Sequence, residues 1–214
     1  TGHVDFADGS RLQFKDFEEI ICFTPGTRID TDQGPRPVED LRPGDRVLTR
    51  DHGFRELVWT GRKDLPAAAV AAWPEIAPVR IAAGALGQGL PVRDLVVSPR
   101  HRMLLAGPRA EVMFGEREVL VAAADLVGLP GISRDAPADT AYLHVMCAGH
   151  EIIRAEGAWT ESFQPAAGVL DALGEDTRAE LLRLFPELAT ARGQARFAPA
   201  RPVLAPAEAR LLVA

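Results

Sequence analysis

Cysteine is scarce in this sequence, which holds two, Cys22 and Cys147, among 214 residues. Two thiols are too few for a disulfide framework and too few for a zinc knuckle made of thiolates alone. Dense basic runs are missing as well. Lys and Arg number 24 against 30 Asp and Glu, a formal net charge of -6. Nucleic acid and membrane surfaces are therefore not among the expected partners. Long apolar runs are absent too: Ala67 to Ala72 is closed off by Pro66 and Pro74, far short of the ~20 residues needed to span a bilayer. No basic flank leads into an apolar core near the N-terminus, so no signal peptide is read in this chain.

What is present is enough for a globular core. Hydrophobic residues make up 47% and charged residues 25%, which suits one sizeable domain with short appendages. Seventeen prolines and nineteen glycines break the chain into short segments. Val4 to Phe6 and Arg11 to Phe14 flank an Asp8-Gly9 turn signal. Thr27 to Asp30 and Arg36 to Val38 flank Asp32-Gln33-Gly34, and Arg46 to Thr49 and Phe54 to Trp59 flank Asp51-His52-Gly53. Asp94 to Val97, Arg102 to Leu105, Arg117 to Val121, Tyr142 to Met146 and Glu151 to Ala155 complete the candidate strands. This spacing predicts a mainly β domain, closed or folded over on itself.

Composition changes after about Pro165. Gly168 to Leu173, Asp176 to Leu184 and Pro206 to Leu212 carry apolar residues at helical spacing, and Pro186 supplies a stop. A helical C-terminal appendage over 166–214 is expected. The segment Val38-Glu39-Asp40-Leu41-Arg42-Pro43-Gly44 is echoed by Ala123-Ala124-Asp125-Leu126-Val127-Gly128, a pattern that either turn chemistry or duplication produces.

A few residues could carry chemistry. Cys22 follows Ile20-Ile21 and precedes Phe23-Thr24-Pro25-Gly26-Thr27, which fits a buried strand thiol or a nucleophile. His101 closes Ser98-Pro99-Arg100-His101, a turn that can point hydroxyl and imidazole into one space. His150 opens a strand after Gly149 and is a second candidate, whereas His144 lies mid-strand and reads as structural. Trp59, Trp73 and Trp159 read as packing residues, Asp45 as a turn carboxylate bonded to backbone amides, and Glu156 and Glu161 as solvated.

Taken in order, Cys22 to Thr27, Val38 to Leu48, Ser98 to His101 and His150 to Phe163 resemble the Hint superfamily of Hedgehog autoprocessing domains and inteins. The likeness is nearest to the bacterial branch attached to secreted calcium-repeat proteins. It implies a horseshoe-shaped pseudo-symmetric β fold over 22–165, an upstream hairpin segment over 1–21, and an extracellular location. It also implies a reaction. Cys22 attacks the carbonyl of Ile21 across the scissile Ile21–Cys22 bond, His101 protonates the departing nitrogen, and Ser98 stands where the family more often has threonine. The substrate is the chain's own upstream polypeptide, and water or an external nucleophile is the acceptor. No cofactor is implied.

The sequence departs from better-known relatives at the second step. Inteins end in His-Asn, but the corresponding positions here are Glu161 and Ser162, neither of which can cyclise to a succinimide. Hedgehog proteins activate a sterol hydroxyl with an aspartate. Gly61 falls near that position here, with Asp64 only a neighbour. Cleavage without full splicing is therefore expected. Two other readings stay open: an inert Hint fold serving as an interaction module, and a zinc site formed by Cys22, Cys147, His101 and His150.

Overall fold

The computed structural model describes residues 2–5, 11–14 and 21–213. Among these residues there are fourteen strands and several helices, and almost every strand pairing is antiparallel. At the N-terminus β1 (Gly2–Asp5) pairs β2 (Arg11–Phe14), as the hairpin pattern predicts; the Asp8-Gly9 turn lies outside the described residues.

The largest sheet runs β10-β9-β14-β13-β3-β5-β6-β12, with β4 added beside β3. Its members are β3 (Arg28–Thr31), β4 (Gly34–Pro37), β5 (Arg46–Thr49), β6 (Gly53–Leu65), β9 (Arg102–Ala106), β10 (Glu118–Ala122), β12 (Thr140–Cys147), β13 (Ile152–Ala155) and β14 (Ala158–Glu161). A second sheet joins β7 (Val79–Ile81), β8 (Leu95–Val97) and β11 (Ile132–Arg134). The sheet path is open at both ends, so of the two all-β forms expected, the domain is folded over and not closed.

Turn chemistry places most of these hairpins. Gly34 sits at φ +93 and Gly53 at φ +66, left-handed positions that glycine occupies without a Cβ penalty. The β13–β14 hairpin turns on Glu156 and Gly157, at φ +47 and +78, the two-residue form that matches strand twist. Glu156 holds its unusual backbone by a side-chain anchor. Its Oε1 accepts from the Arg28 backbone at 2.7 Å and from Arg93 at 2.8 Å.

The sequence echo has a structural counterpart. Val38–Asp40 and Ala123–Leu126 are both single 3-10 turns that directly follow a strand, β4 in one case and β10 in the other. Both begin and end in extended backbone, and both send apolar residues into the main core, Val38 from the first and Ala123 and Leu126 from the second.

Three strands were not foreseen: β7, β11 and β14. Strand β6 is also far longer than Phe54 to Trp59, because polar Thr60 to Asp64 continue its pairing with β12 from Leu57↔Cys147 to Leu65↔Thr140. Helices α1 (Ala67–Ala72) and α2 (Pro108–Phe114) fill connections between strands. The C-terminal helices α3 (Ala167–Ala172), α4 (Glu175–Leu184) and α6 (Pro206–Val213) match the periodicity expected of that region, while the short α5 (Ala191–Gln194) is an addition to it. They are not loosely appended. Leu204, Ala209 and Leu212 enter the main core, and Leu120 pairs with the chain at Pro202 and Leu204 through 2.8 and 2.9 Å backbone bonds. Among the described residues no helix is long and apolar enough to cross a membrane.

Candidate functional site

Residues 22–24 form a fragment of strand threaded between β8 and β12. Phe23 bridges both Val97 and Leu143, exchanging 2.9 Å backbone bonds with Leu143. The Cys22 carbonyl accepts from the Ser98 amide at 2.9 Å, and Thr24 donates to Val96 at 3.2 Å. Strand alternation sends Phe23 into the main core, while Cys22 joins a separate small cluster with Leu65, Val70, Ile76 and Tyr142. The cysteine is thus fixed by its neighbours on two strands and is wholly buried.

The turn after β8 delivers the next two groups. His101 donates its backbone N–H to the Ser98 carbonyl at 3.1 Å, closing Ser98-Pro99-Arg100-His101 over the cysteine. Ser98 Oγ accepts the Cys22 backbone N–H at 2.9 Å. The His101 ring packs edge-on against Phe23 with centroids 4.4 Å apart. Its Nε2 meets Thr160 Oγ1 at very short range, and its Nδ1 is buried with no hydrogen bond. Burial, with Arg102 and His144 adding to it, lowers the His101 pKa to about 3, and the adjoining Cys22 backbone acts the other way. The imidazole is therefore neutral at ordinary pH.

Against the cysteine sulfur stands His144, a residue whose mid-strand position reads as structural in the sequence. Its Nδ1 lies 2.9 Å from the Ile21 carbonyl oxygen and 3.5 Å from Cys22 Sγ, with Nε2 at 3.7 Å from the same sulfur. A carbonyl only accepts, so Nδ1 carries the proton and Nε2 is bare. Trp59 stacks on this ring at 5.7 Å, and Phe163 meets it edge-on at 4.8 Å. Gly61 is the cross-strand partner of His144. A Cβ there would fall 2.3 Å from the Trp59 ring, so glycine is what lets the indole lie across this position. The His144 pKa falls to about 4, chiefly through burial; the Ile21 carbonyl opposes this and Lys63 adds to it.

Burial pushes the Cys22 thiol well above its ordinary value, while the Ser98 hydroxyl and the Lys63 charge pull it down. Lys63 is partly buried, two residues beyond Gly61 on β6 and paired in register with Tyr142. Its own pKa is lowered by desolvation, with Cys22 opposing.

His150 is held elsewhere. Its Nδ1 accepts from the Ala200 amide at 2.9 Å, so its Nε2 is the donor to Glu161 Oε2 at 3.0 Å. Glu161 also accepts from the Arg102 backbone at 2.8 Å and from its guanidinium at 3.0 Å. Both Glu161 and Glu156 are buried, contrary to the solvated surface expected of them, because arginines and backbone amides remote in sequence satisfy their charge. Asp45 does what its turn position predicts, accepting the Arg42 amide at 2.8 Å. Asp64 is exposed and paired with Arg62.

Cys147 faces the main core, where burial and then Glu151 raise its thiol to about 12. Both cysteines are free. Cys22, Cys147, His101 and His150 do not converge, and among the described residues no cluster of three His, Cys, Asp or Glu could hold a metal ion.

The ordered pieces of this site correspond to a known family: residues 21–167 match the Hint domain. The chain belongs to the Hint domain family. No curated protein matches it in sequence. Among solved structures it is similar to a splice-inactive variant of the AceL NrdHF class 3 split intein, with a TM-score of 0.44 at 13% identity, covering 66% of this chain and 97% of that one. A bacterial intein-like domain from Clostridium thermocellum aligns with a TM-score of 0.42 at 12% identity, covering 67% and 99%. The MchDnaB-1 intein aligns with a TM-score of 0.40 at 12% identity, covering 66% and 99%. Within this Hint domain His144 and Thr160 are the site residues that sequence reading missed. The available signal for His144 was a histidine sharing one face of an apolar strand with Tyr142 and Met146.

Proposed function

We propose that this Hint domain processes its own chain by an N-to-S acyl shift at Ile21–Cys22, followed by cleavage or transfer of the thioester without splicing. One observation carries the reading. The Ile21–Cys22 amide is gripped at both ends, its N–H by Ser98 Oγ at 2.9 Å and its C=O by His144 Nδ1 at 2.9 Å, with the attacking sulfur alongside.

The steps balance on these residues. The Sγ proton passes to the bare Nε2 of His144, which lies 3.7 Å from the sulfur. The sulfur forms a bond to the Ile21 carbonyl carbon, and the π electrons move onto oxygen, where His144 Nδ1–H steadies them. On collapse the C=O re-forms, the C–N bond breaks, and the proton taken from sulfur goes to the Cys22 nitrogen, with His101 as the donor on that side of the bond. The net change is one amide and one thiol exchanged for one thioester and one amine. Water then yields the Ile21 carboxylate and restores the Cys22 thiol, whereas an external amine or hydroxyl carries the acyl group away. Splicing is disfavoured because Glu161 is tied to Arg102 and His150, and Ser162 Oγ accepts the Glu151 amide at 3.0 Å.

The alternative reading, an inert interaction module, is favoured by one observation: burial keeps the thiol protonated beside a weakly basic His101. Intact mass of purified precursor with and without hydroxylamine separates the two. Two fragments meeting between Ile21 and Cys22 support processing, and an unchanged mass at long times supports the inert module.

A further inference from the structure

We infer that Thr160 is a positioning residue, which fixes the tautomer of His101 so that Nδ1 is the ring nitrogen free to exchange a proton with Cys22. The inference rests on the self-processing reading for its catalytic meaning, but its structural content can be tested separately.

A hydroxyl has one proton to give. Thr160 Oγ1 lies 2.8 Å from the Arg102 backbone carbonyl, a group that can only accept, so the hydroxyl proton is directed there. The same oxygen is the partner of His101 Nε2. With its proton committed, Oγ1 faces the imidazole as an acceptor, and Nε2 must be the protonated nitrogen. The opposite tautomer fails because it sets a bare Nε2 against the Thr160 lone pairs. Nδ1 is therefore an acceptor at rest, the state needed to take up a proton and pass it on. Once charged, the ring is acidic enough to release that proton to the Cys22 nitrogen.

The residue is built in firmly enough for this task. Thr160 is wholly buried on β14, and its strand partner is Met103, two residues past the histidine on the neighbouring chain segment. Its successor Glu161 binds Arg102 through both backbone and side chain. The Arg102 carbonyl that receives the hydroxyl proton is thereby held in place by the next residue along. Valine is the closest match to threonine in shape and suits a strand, so Thr160→Val removes the hydroxyl with little change in packing volume. Thr160→Ser keeps the hydroxyl.

Nitrogen-15 NMR of the imidazoles in a Cys22→Ala background, which keeps the upstream segment attached, reads the tautomer directly. His101 should show a pyrrole-type Nε2 and a pyridine-type Nδ1, and Thr160→Val should introduce the other tautomer. In the Cys22 protein, hydroxylamine-induced cleavage should fall about 10- to 100-fold with Thr160→Val and recover to within a few-fold with Thr160→Ser. A pyridine-type Nε2 in the parent protein overturns the inference even if the valine variant does not fold. So does a valine variant that keeps both tautomer and rate. If the parent never cleaves, the processing reading fails, and the NMR result alone still decides what Thr160 does to His101.

Discussion

Cys22 lies between two imidazoles, and they are held in opposite ways. His101 comes from a tight turn and is secured by one hydroxyl at Nε2, leaving Nδ1 buried without a hydrogen bond. His144 comes from the middle of a long strand and is walled by Trp59 and Phe163, with its Nδ1–H donating to the Ile21 carbonyl. The first arrangement suits a group that must gain and lose a proton. The second suits a fixed donor aimed at an oxygen where negative charge develops, which is useful because it needs no rearrangement during reaction. On the proposed reading, the difference divides the work at one peptide bond: nitrogen chemistry on one side and oxygen chemistry on the other.

Removing the sulfur between them should have the largest effect. Cys22→Ala deletes the nucleophile that both imidazoles serve, so hydroxylamine-dependent fragments should disappear entirely by intact mass. Cleavage that persists would place the reaction elsewhere. The next largest effect tests the oxygen side. His144→Phe keeps a ring against Trp59 and Phe163 but removes the donor, and should slow thioester formation about 100- to 1000-fold. A variant as fast as the parent would return His144 to the structural role that its mid-strand position first suggested.

The two histidines also differ in how readily sequence reveals them. Ser98-Pro99-Arg100-His101 is a local turn, and a proline-forced reversal over four residues brings hydroxyl and imidazole together without help from the rest of the chain. The hairpins around Gly34 and Gly53 are legible for the same reason, as are the C-terminal helices with their apolar spacing. His144 meets Cys22 only because the fragment at Phe23 is inserted beside β12, a pairing between residues about 120 positions apart. Nothing in Tyr142 to Met146 announces that partner. Glu156 and Glu161 show the same limit: carboxylates read as solvated are buried because Arg93, Arg28 and Arg102 reach them from distant parts of the chain.

A smaller change sharpens the comparison without touching either imidazole. Gly61→Ala would set a methyl group where the Trp59 ring lies. The indole would have to leave its place against His144, at a cost of about 1–3 kcal/mol typical of overpacking. Urea unfolding should show that loss, and cleavage should slow with it, since the His144 wall is displaced while His101 is not. Loss of stability with an unaltered rate would mean that Trp59 serves packing alone.

The smallest effect per step is the dependence of stability on pH. Both histidines are buried and neutral, with pKa values of about 3 for His101 and about 4 for His144, against roughly 6.5 in an unfolded chain. Below pH ~6.5 the unfolded state binds protons that the folded state refuses, so stability is fully present above that value and is lost as pH falls. Each histidine should contribute a slope of at most about 1.4 kcal/mol per pH unit. The His144 share ends near its folded value of about 4, and the His101 share continues to about 3. Asp45, Asp51 and Glu118, held low by their arginine partners, add to the loss only at the acid end of this range. In His144→Phe the acid limb between pH ~6.5 and about 4 should become shallower, because one of the two refused protons no longer counts. Urea midpoints measured across that range check the point, and a limb of unchanged steepness would mean that His144 takes up its proton in the folded protein as easily as in the unfolded chain.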